Sequence, residues 1–327
     1  MSTWPEAFKS SVTVVIPKPH KDDYTQVKNF RPIALLECAG KLISKMIVAR
    51  LQSDAVHFRL VHPLQFSGLK YRSTVDAGFF LTEYVTKARN AGRHTSALAL
   101  DITQFFPSLK CDIIILMLEK LGFAPSLHRL FRSYYDGCST RYLWNVFFSK
   151  DYNSDNGVPQ GDPLSPIIAV LYLSLILKML FPGTNGATIC LSYIDDFVLL
   201  ANNVLLRNNI SQLEAAFSRL DDALASVGLH FKPNKMELMH FAHKDQSPHR
   251  GRKPIRFQSL FSSLPAIQLR SLQGCFSPVI ITPSKEWRYL GFYFDPFLSF
   301  SSHVSRYANK ALILAEIFEL WGTATGA

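Results

Sequence analysis

Cysteine is scarce in this sequence, and the cysteines that are present do not form a recognisable framework. Among 327 residues there are five, and their positions show no paired spacing: Cys38, Cys111, Cys138, Cys190 and Cys275. Such spacing indicates neither a disulfide scaffold nor a zinc site. We therefore expect a reducing, intracellular compartment, either the nucleus or the cytoplasm.

Long apolar runs and targeting signals are also missing. The most apolar stretch, Ile167 to Leu177, is followed by Lys178 and is too short to span a bilayer. The first ten residues, Met1 to Ser10, lack the basic-then-apolar pattern of a signal peptide. There is no internal repeat and no low-complexity tract. We expect no association with a membrane.

The bulk composition is that of a basic, folded protein. The chain is 48% hydrophobic, with a formal net charge of +10 and a sequence pI of about 9.4. This is enough apolar material for one compound domain or two small ones. The positive charge favours a polyanionic partner, although the same charge can simply serve solubility.

Two adjacent carboxylates, Asp195 and Asp196, lie between two short apolar runs. The runs Thr188 to Ser192 and Phe197 to Ala201 each predict a buried strand, which places Tyr193 to Asp196 at a hairpin turn. The turn has no Gly, Asn-Gly or Pro to ease its formation. Neighbouring like charges are costly unless a cation neutralises them, and Mg²⁺ or Mn²⁺ suits oxygen ligands. The alternative is a pair that merely caps an exposed turn.

A third carboxylate, Asp101, favours the metal hypothesis. It lies near the end of another apolar run, Ser96 to Ile102. A strand carrying Asp101 beside a hairpin carrying Asp195 places the carboxylates on one surface. That arrangement suits two metal ions bridged by phosphate oxygens.

Five motifs, in their usual order, resemble the boxes of reverse transcriptases. The third and fifth correspond to a template and nucleotide motif and to a primer grip. The motifs are Asn29-Phe30-Arg31-Pro32-Ile33, Asp101 to Ser108, Gly157 to Pro166, Tyr193-Ile194-Asp195-Asp196 and Tyr289-Leu290-Gly291. The first and third are most similar to non-LTR (LINE-like) retrotransposons, with group II intron and retron enzymes as cousins. Phe105-Phe106-Pro107-Ser108 looks more like the retron and intron form.

The resemblance implies a role for several residues. Asp101, Ile102, Asp195 and Asp196 correspond to the ligands of two Mg²⁺ ions, with Mn²⁺ as a possible substitute. Lys235 corresponds to a proton donor for the leaving pyrophosphate, and its alternative is a plain surface lysine. The nucleotide-binding positions are Lys18, Arg31, Phe106, Gln160 and Gly161, with Phe106 as a gate against a 2′-hydroxyl. Tyr289, Leu290 and Gly291 correspond to the primer grip.

The fold and partners implied are those of a right-hand polymerase of the α+β class. Residues 1–94 correspond to fingers and fingers-palm, and residues 95–300 to the palm, with a basic insertion at about 243–256. Residues 301–327 correspond to the start of a truncated thumb. The implied partners are an RNA template, a DNA or RNA primer and deoxynucleoside triphosphates.

Several local predictions come from the residues alone. Gln65 to Arg72 mixes aromatic and cationic side chains and suits contact with a nucleic-acid strand. Gly157 and Gly161 allow a ligand to approach the backbone closely. Ser211 and Glu214 form a capping-box pattern that starts a helix ending near Val227. On that helix Asp221 and Asp222 are predicted to be solvated. Arg141 to Phe148 and Trp287 to Phe294 are each predicted to be one strand.

Two other functional classes remain open. A relic with intact motifs and no complete thumb can bind nucleic acid without turnover. A different palm-type metal enzyme, such as a cyclase, is the second alternative. The boxes containing Arg31 and Gln160 argue against a cyclase, because a cyclase has no template to position.

Overall fold

The computed structural model describes residues 3–19, 22–154, 157–184, 186–241, 264–269 and 278–324, without the side chains of Lys28 and of residues 318–324. The predicted basic insertion at 243–256 lies outside the described residues.

The strands and helices follow one another in short runs along the chain. The strands are β1 (Ser10–Pro17), β2 (Phe30–Leu36), β3 (His94–Asp101), β4 (Ser139–Trp144), β5 (Phe147–Phe148), β6 (Tyr152–Asn153), β7 (Thr188–Tyr193), β8 (Asp196–Asn203), β9 (Glu237–Phe241), β10 (Ile267–Leu269), β11 (Val279–Ile281), β12 (Trp287–Tyr289) and β13 (Phe292–Phe294). The helices are α1 (Cys38–His57), α2 (Thr74–Asn90), α3 (Phe105–Ser108), α4 (Cys111–Lys120), α5 (Pro125–Tyr135), α6 (Leu164–Leu180), α7 (Leu206–Ser226) and α8 (Ser301–Ala324).

The central sheet is antiparallel, with strand order β7-β8-β3-β9. Its strands are apolar on both faces because helices cover both. Side chains alternate between the faces of a strand. Leu98 and Leu199 face a core shared with α6 and α7. Ala97, Val198 and Leu200 face a core shared with α2 and with β12 and β13.

A second sheet has the order β2-β1-β4-β5, with β6 also paired to β4. It joins residues 10–36 to residues 139–153, and β1 runs parallel to β4. The prediction of one strand over Arg141 to Phe148 is wrong, because Asn145 has a φ of +53° and turns the chain into β5. The division of the chain at residues 94 and 300 stays a prediction.

The primer-grip segment is a hairpin and not the single strand that we predicted. Trp287–Tyr289 pairs antiparallel with Phe292–Phe294. Leu290 and Gly291 form the turn, with φ values of +48° and +92°. Gly291 suits this position because it adopts positive φ without a steric penalty.

Helix α8 begins at Ser301, earlier than the predicted start near residue 308. No helix in the described ranges is long and apolar enough to cross a membrane.

Helix α7 corrects two further predictions. It begins at Leu206, so Ser211 lies inside the helix and does not cap it. Asp221 is only 3% exposed and therefore not solvated, whereas Asp222 is exposed as predicted. Asp221 is buried because it follows Leu220 on the face that packs against the central sheet. Burial, together with the charge of Asp222, raises the pKa of Asp221 to about 6.

This burial makes the stability of the fold depend on pH. In the unfolded chain the pKa of an aspartate is about 4, so stability is lost as pH rises from about 4 through the folded value of about 6. We expect Asp221→Asn to unfold at a higher temperature than the parent at pH 8, with a gain of at most about 3 kcal/mol. The two proteins should converge near pH 4. Asp222→Asn removes only the smaller contribution, the neighbouring charge, and should give a smaller gain at pH 8. A gain for Asp221→Asn that does not depend on pH would contradict the explanation.

Candidate active site

The turn that carries the paired carboxylates is held in a strained conformation. Tyr193 pairs with Asp196, and Ile194 between them has a φ of +54°. A β-branched residue rarely adopts this left-handed conformation. Such strain persists only where surrounding structure enforces it, and it is concentrated at functional sites.

Strand pairing brings Asp101 and Asp196 together. They are the last register pair of β3 and β8, and directly opposite residues have Cβ atoms about 5 Å apart. Because side chains alternate between the two faces of a strand, Asp101 and Asp196 lie on the face that packs against α2 and the β12–β13 hairpin. The predicted convergence of the Asp101 strand and the hairpin strand is therefore present in the fold.

The backbone of Ile102 also faces this turn. Thr103 N donates to His230 O (2.8 Å) and Lys232 N donates to Asp101 O (2.8 Å). These flanking bonds leave the N–H and C=O of Ile102 directed to the opposite side, toward the hairpin. There its N–H donates to Asp195 O at 3.4 Å. The carbonyl of Ile102 therefore lies on the side of the carboxylates.

The electrostatics of the carboxylates show a deficit of positive charge. Burial raises the pKa of Asp195, and the nearby charge of Asp101 adds to the effect. Burial, followed by the charges of Asp195 and Asp101, raises the pKa of Asp196 to about 6. The ammonium of Lys235 partly offsets this deficit, because its Nζ lies 2.9 Å from Oδ2 of Asp101. Its side chain is 54% exposed.

The donors suit a hard divalent cation, although their present rotamers do not enclose one. Within the described ranges, no group of three or more His, Cys, Asp or Glu side chains is arranged to hold a metal ion. The three carboxylates and the Ile102 carbonyl are oxygen donors of the kind that Mg²⁺ and Mn²⁺ prefer. A divalent ion would also relieve the repulsion that raises the pKa values of Asp195 and Asp196.

The glycine-rich loop lies against the chain's own backbone, and the close approach of a ligand to it stays a prediction. Gly161, with a φ of +128°, lies directly against the carbonyl of Ala34, and Ala34 N donates to Gln160 O at 2.8 Å. Gly157 has a φ of +83°, and a Cβ there would lie 2.8 Å from Cα of Pro107. The glycines therefore fasten this loop to β2 and to the segment after Asp101.

A buried aspartate missed in the sequence, Asp162, anchors the same loop. Its Oδ2 accepts hydrogen bonds from Tyr134 Oη (2.7 Å) and Ser44 Oγ (3.2 Å), and its Oδ1 accepts one from Leu164 N (2.7 Å). The available signal was an aspartate just before the start of an apolar helix, a position that often accepts a bond from the first turn.

The other predicted nucleotide-binding residues surround this loop. Phe106 is half-buried against Phe105, which lies in the core, and their ring centroids are 5.4 Å apart. The carbonyl of Phe106 accepts a hydrogen bond from Val158 N at 2.9 Å. Arg31 is exposed on β2. Lys18 lies between β1 and β2, and its N donates to Asn29 O at 2.8 Å.

Gln65 to Arg72, predicted to contact nucleic acid, is bound largely to the protein itself. Gln65 and Ser67 are buried, and both accept a hydrogen bond from the N–H of Ile194. Arg72 donates to the carbonyl oxygens of His62, Pro63 and Gln65. Lys70 and Tyr71 are exposed.

The primer-grip hairpin borders the carboxylates. Tyr289 is buried, and its hydroxyl lacks a hydrogen-bond partner within the described part of the chain. Burial raises the pKa of Tyr289, and the charge of Asp196 is the next contribution. The hairpin is thus close enough to Asp196 for the two groups to interact.

The family model for "Reverse transcriptase (RNA-dependent DNA polymerase)" matches residues 16–294. The chain belongs to the reverse transcriptase family. The match spans all five motifs that suggested the resemblance.

Related proteins come from non-LTR retrotransposons, which confirms the predicted type. A Pol polyprotein from the type-1 element R2 of Popillia japonica is 27% identical over 66% of this chain and 31% of its own length. The jockey RNA-directed DNA polymerase of Drosophila funebris is 20% identical over 92% of this chain and 30% of its own. An uncharacterised 149 kDa protein of transposon TX1 from Xenopus laevis is 24% identical over 67% of this chain and 17% of its own length. This reverse transcriptase chain therefore spans less than a third of each relative.

The fold is similar to that of telomerase. Apo telomerase of Candida tropicalis truncated from its C-terminal domain superposes with a TM-score of 0.53 at 12% identity, covering 89% of this chain and 54% of that one. Another apo telomerase structure from Candida tropicalis superposes with a TM-score of 0.52 at 9% identity. The superposition covers 90% of this chain and 49% of that one. The α+β right-hand polymerase fold of the reverse transcriptase is thereby confirmed.

The tight contact at Gly157 predicts a large loss of stability on substitution. Gly157→Ala forces an unfavourable φ and a clash with Pro107, with an expected loss of about 3 kcal/mol. Gly92→Ala is a matched control, because Gly92 has a φ of +70° and a Cβ added there would meet no atom within 4 Å. We expect it to lose only about 1 kcal/mol. Urea unfolding measures both, and equal losses would contradict the assigned contact.

Proposed function

We propose that this chain is an RNA-directed DNA polymerase that adds deoxynucleotides to the 3′-hydroxyl of a DNA or RNA primer on an RNA template. The observation that carries the proposal is the register of β3 and β8, which pairs Asp101 with Asp196 beside the Asp195 turn. Membership of the reverse transcriptase family supports it. The relatives named as RNA-directed DNA polymerases support it as well.

The carboxylates would hold the catalytic cations. Asp101, Asp195 and Asp196, with the carbonyl of Ile102, are the proposed ligands of two Mg²⁺ ions, for which Mn²⁺ can substitute. Ions held there would supply Lewis-acid activation of the primer hydroxyl and would neutralise charge on the leaving oxygens. The protein supplies the rigid pairing of β3 with β8, so that the ligand backbones are positioned before any substrate binds.

Lys235 is the proposed proton donor to pyrophosphate. A lysine is protonated at neutral pH. The contact of its ammonium with Asp101 keeps it at the carboxylates while its exposure leaves it accessible to substrate. As the new bond to the α-phosphate forms, Lys235 gives its proton to the departing pyrophosphate oxygen.

The remaining residues position the substrates. Arg31 and Lys18 bind the triphosphate, and a guanidinium suits phosphate because it can make paired hydrogen bonds. Gln160 and Gly161 form the floor of the pocket, held in place by the bond to Ala34. Phe106 excludes a 2′-hydroxyl. Tyr289, Leu290 and Gly291, at the end of β12 and in the turn that follows it, would contact the primer terminus.

Primer extension on an RNA template tests this proposal. With Mg²⁺ or Mn²⁺, we expect the parent to extend the primer and Asp195→Asn to be slower by about 100-fold or more, since a charged metal ligand is lost. Asp222→Asn is the matched control, because it removes one charge from the exposed member of the second Asp-Asp pair, on α7. We expect that variant to extend normally.

Two other results would contradict the proposal. If the parent fails to extend yet binds template-primer with an affinity that falls steeply with salt, the chain is a relic that retains only nucleic-acid binding. If Asp195→Asn extends as fast as the parent, Asp195 is not a metal ligand and the site is misassigned.

A further inference from the structure

The turn that carries Asp195 is held by Gln65 and Ser67, which belong to the segment predicted to contact nucleic acid. We propose that Ser67 and Gln65 are positioning residues that lock the strained Ile194 turn and thereby set the affinity of the adjoining carboxylates for divalent cations. This inference rests on the proposed function, because it assigns the metal site to the same turn.

The hydrogen bonds converge on one backbone group. Ile194 N donates to Ser67 Oγ at 2.9 Å and, at a longer distance of 3.4 Å, to Gln65 Oε1. A left-handed β-branched residue needs external support. These two side chains supply the acceptors at the residue immediately before Asp195.

Gln65 orients Ser67 for this task. Ser67 Oγ donates to Gln65 Oε1 at 3.0 Å, and Ser67 N donates to the same oxygen at 3.2 Å. With its proton so engaged, the serine hydroxyl offers a lone pair to Ile194. Two backbone N–H groups point at one atom of the Gln65 amide, which identifies that atom as the oxygen.

The segment around Gln65 pairs with β7, the edge strand of the central sheet. Ser192 N donates to Leu64 O, and Phe66 N donates to Ser192 O, both at 2.9 Å. These bonds make Gln65 a parallel bridge partner of Ser192 in β7. The side chains of Gln65 and Ser67 are therefore held at a fixed distance from the turn that follows β7.

Further hydrogen bonds, from Arg72 and from α1, hold this segment in place. Arg72 Nη1 donates to the carbonyls of His62 (3.3 Å), Pro63 (3.1 Å) and Gln65. Gln52 Nε2, on α1, donates to Gly68 O at 2.8 Å. The segment is thus a fixed support, and its buried polar side chains face the turn rather than solvent.

Substitution of Ser67 has a matched control in the neighbouring strand. Ser67 is 2% exposed and bonded to the turn, whereas Ser192 is 0% exposed and its hydroxyl has no hydrogen-bond partner within the described residues. Ser67→Ala and Ser192→Ala therefore remove the same atom from buried sites, but only the first removes a bond to Ile194. Gln65→Met is a second variant, which removes the acceptor oxygen and keeps the side-chain volume.

The experiment measures Mn²⁺ binding by electron paramagnetic resonance, amide exchange at Ile194 and the melting temperature of each purified variant. For Ser67→Ala we expect about a tenfold weaker Mn²⁺ affinity and about tenfold faster exchange at Ile194. For Gln65→Met we expect about a threefold change in both. Ser192→Ala should match the parent, and each melting temperature should stay within a few degrees of the parent value.

The outcomes separate this inference from the proposed function. The inference is overturned if Ser67→Ala shows both a Mn²⁺ affinity and an amide exchange rate at Ile194 within twofold of the parent values. This holds even if the parent extends primers. Weaker Mn²⁺ binding by Ser192→Ala as well would reduce the role of Ser67 to general packing. A parent that binds no Mn²⁺, or binds it as tightly after Asp195→Asn, overturns the proposed function and the metal part of the inference together. Exchange at Ile194 still decides whether Ser67 locks the turn.

Discussion

The structure depends on the pairing of β3 with β8, which places two like charges opposite each other at the end of a buried sheet. The apolar residues before Asp101 and after Asp196 are covered on both faces, so the register cannot slip without moving each side chain to the opposite core. Hydrophobic burial thus holds Asp101 and Asp196 in a repulsive arrangement. Burial is the main cause of the raised pKa values of Asp195 and Asp196, and the charges of the neighbouring carboxylates add to it.

Around this pair the chain makes contacts that limit movement. Ser67 and Gln65 hold the turn, and Asp162 joins the Gln160 loop to α1, α5 and α6. Gly157 ties that loop to the segment after Asp101. The elements that would meet nucleotide are therefore joined to the elements that carry the carboxylates through direct hydrogen bonds or backbone contact. Such positioning is what a nucleotidyl transfer site requires, because its catalysis relies on orientation and charge.

The sequence predicted the strand that ends at Asp101, the two strands of the Asp195 hairpin and their convergence, because apolar runs and motif order are local signals. It could not show that Asp221 is buried, because an exposed and a buried aspartate on a helix differ only in what packs against them. The same limit applies to Gln65 and Ser67, whose partner Ile194 lies more than 120 residues away. Gly157 and Gly161 were recognised as sites of close approach, yet only the fold shows that their neighbours are Pro107 and Ala34.

Iron-mediated cleavage of the polypeptide tests the central claim most directly. With ascorbate and hydrogen peroxide added, Fe²⁺ bound in place of Mg²⁺ reduces the peroxide to hydroxyl radicals, which cut the backbone near the ion. We expect cuts close to Asp101, Asp195, Asp196 and Lys235. We also expect excess Mg²⁺ to suppress all of these cuts. Cuts confined to other parts of the chain, or cuts at these positions that persist unchanged in Asp195→Asn, would contradict it.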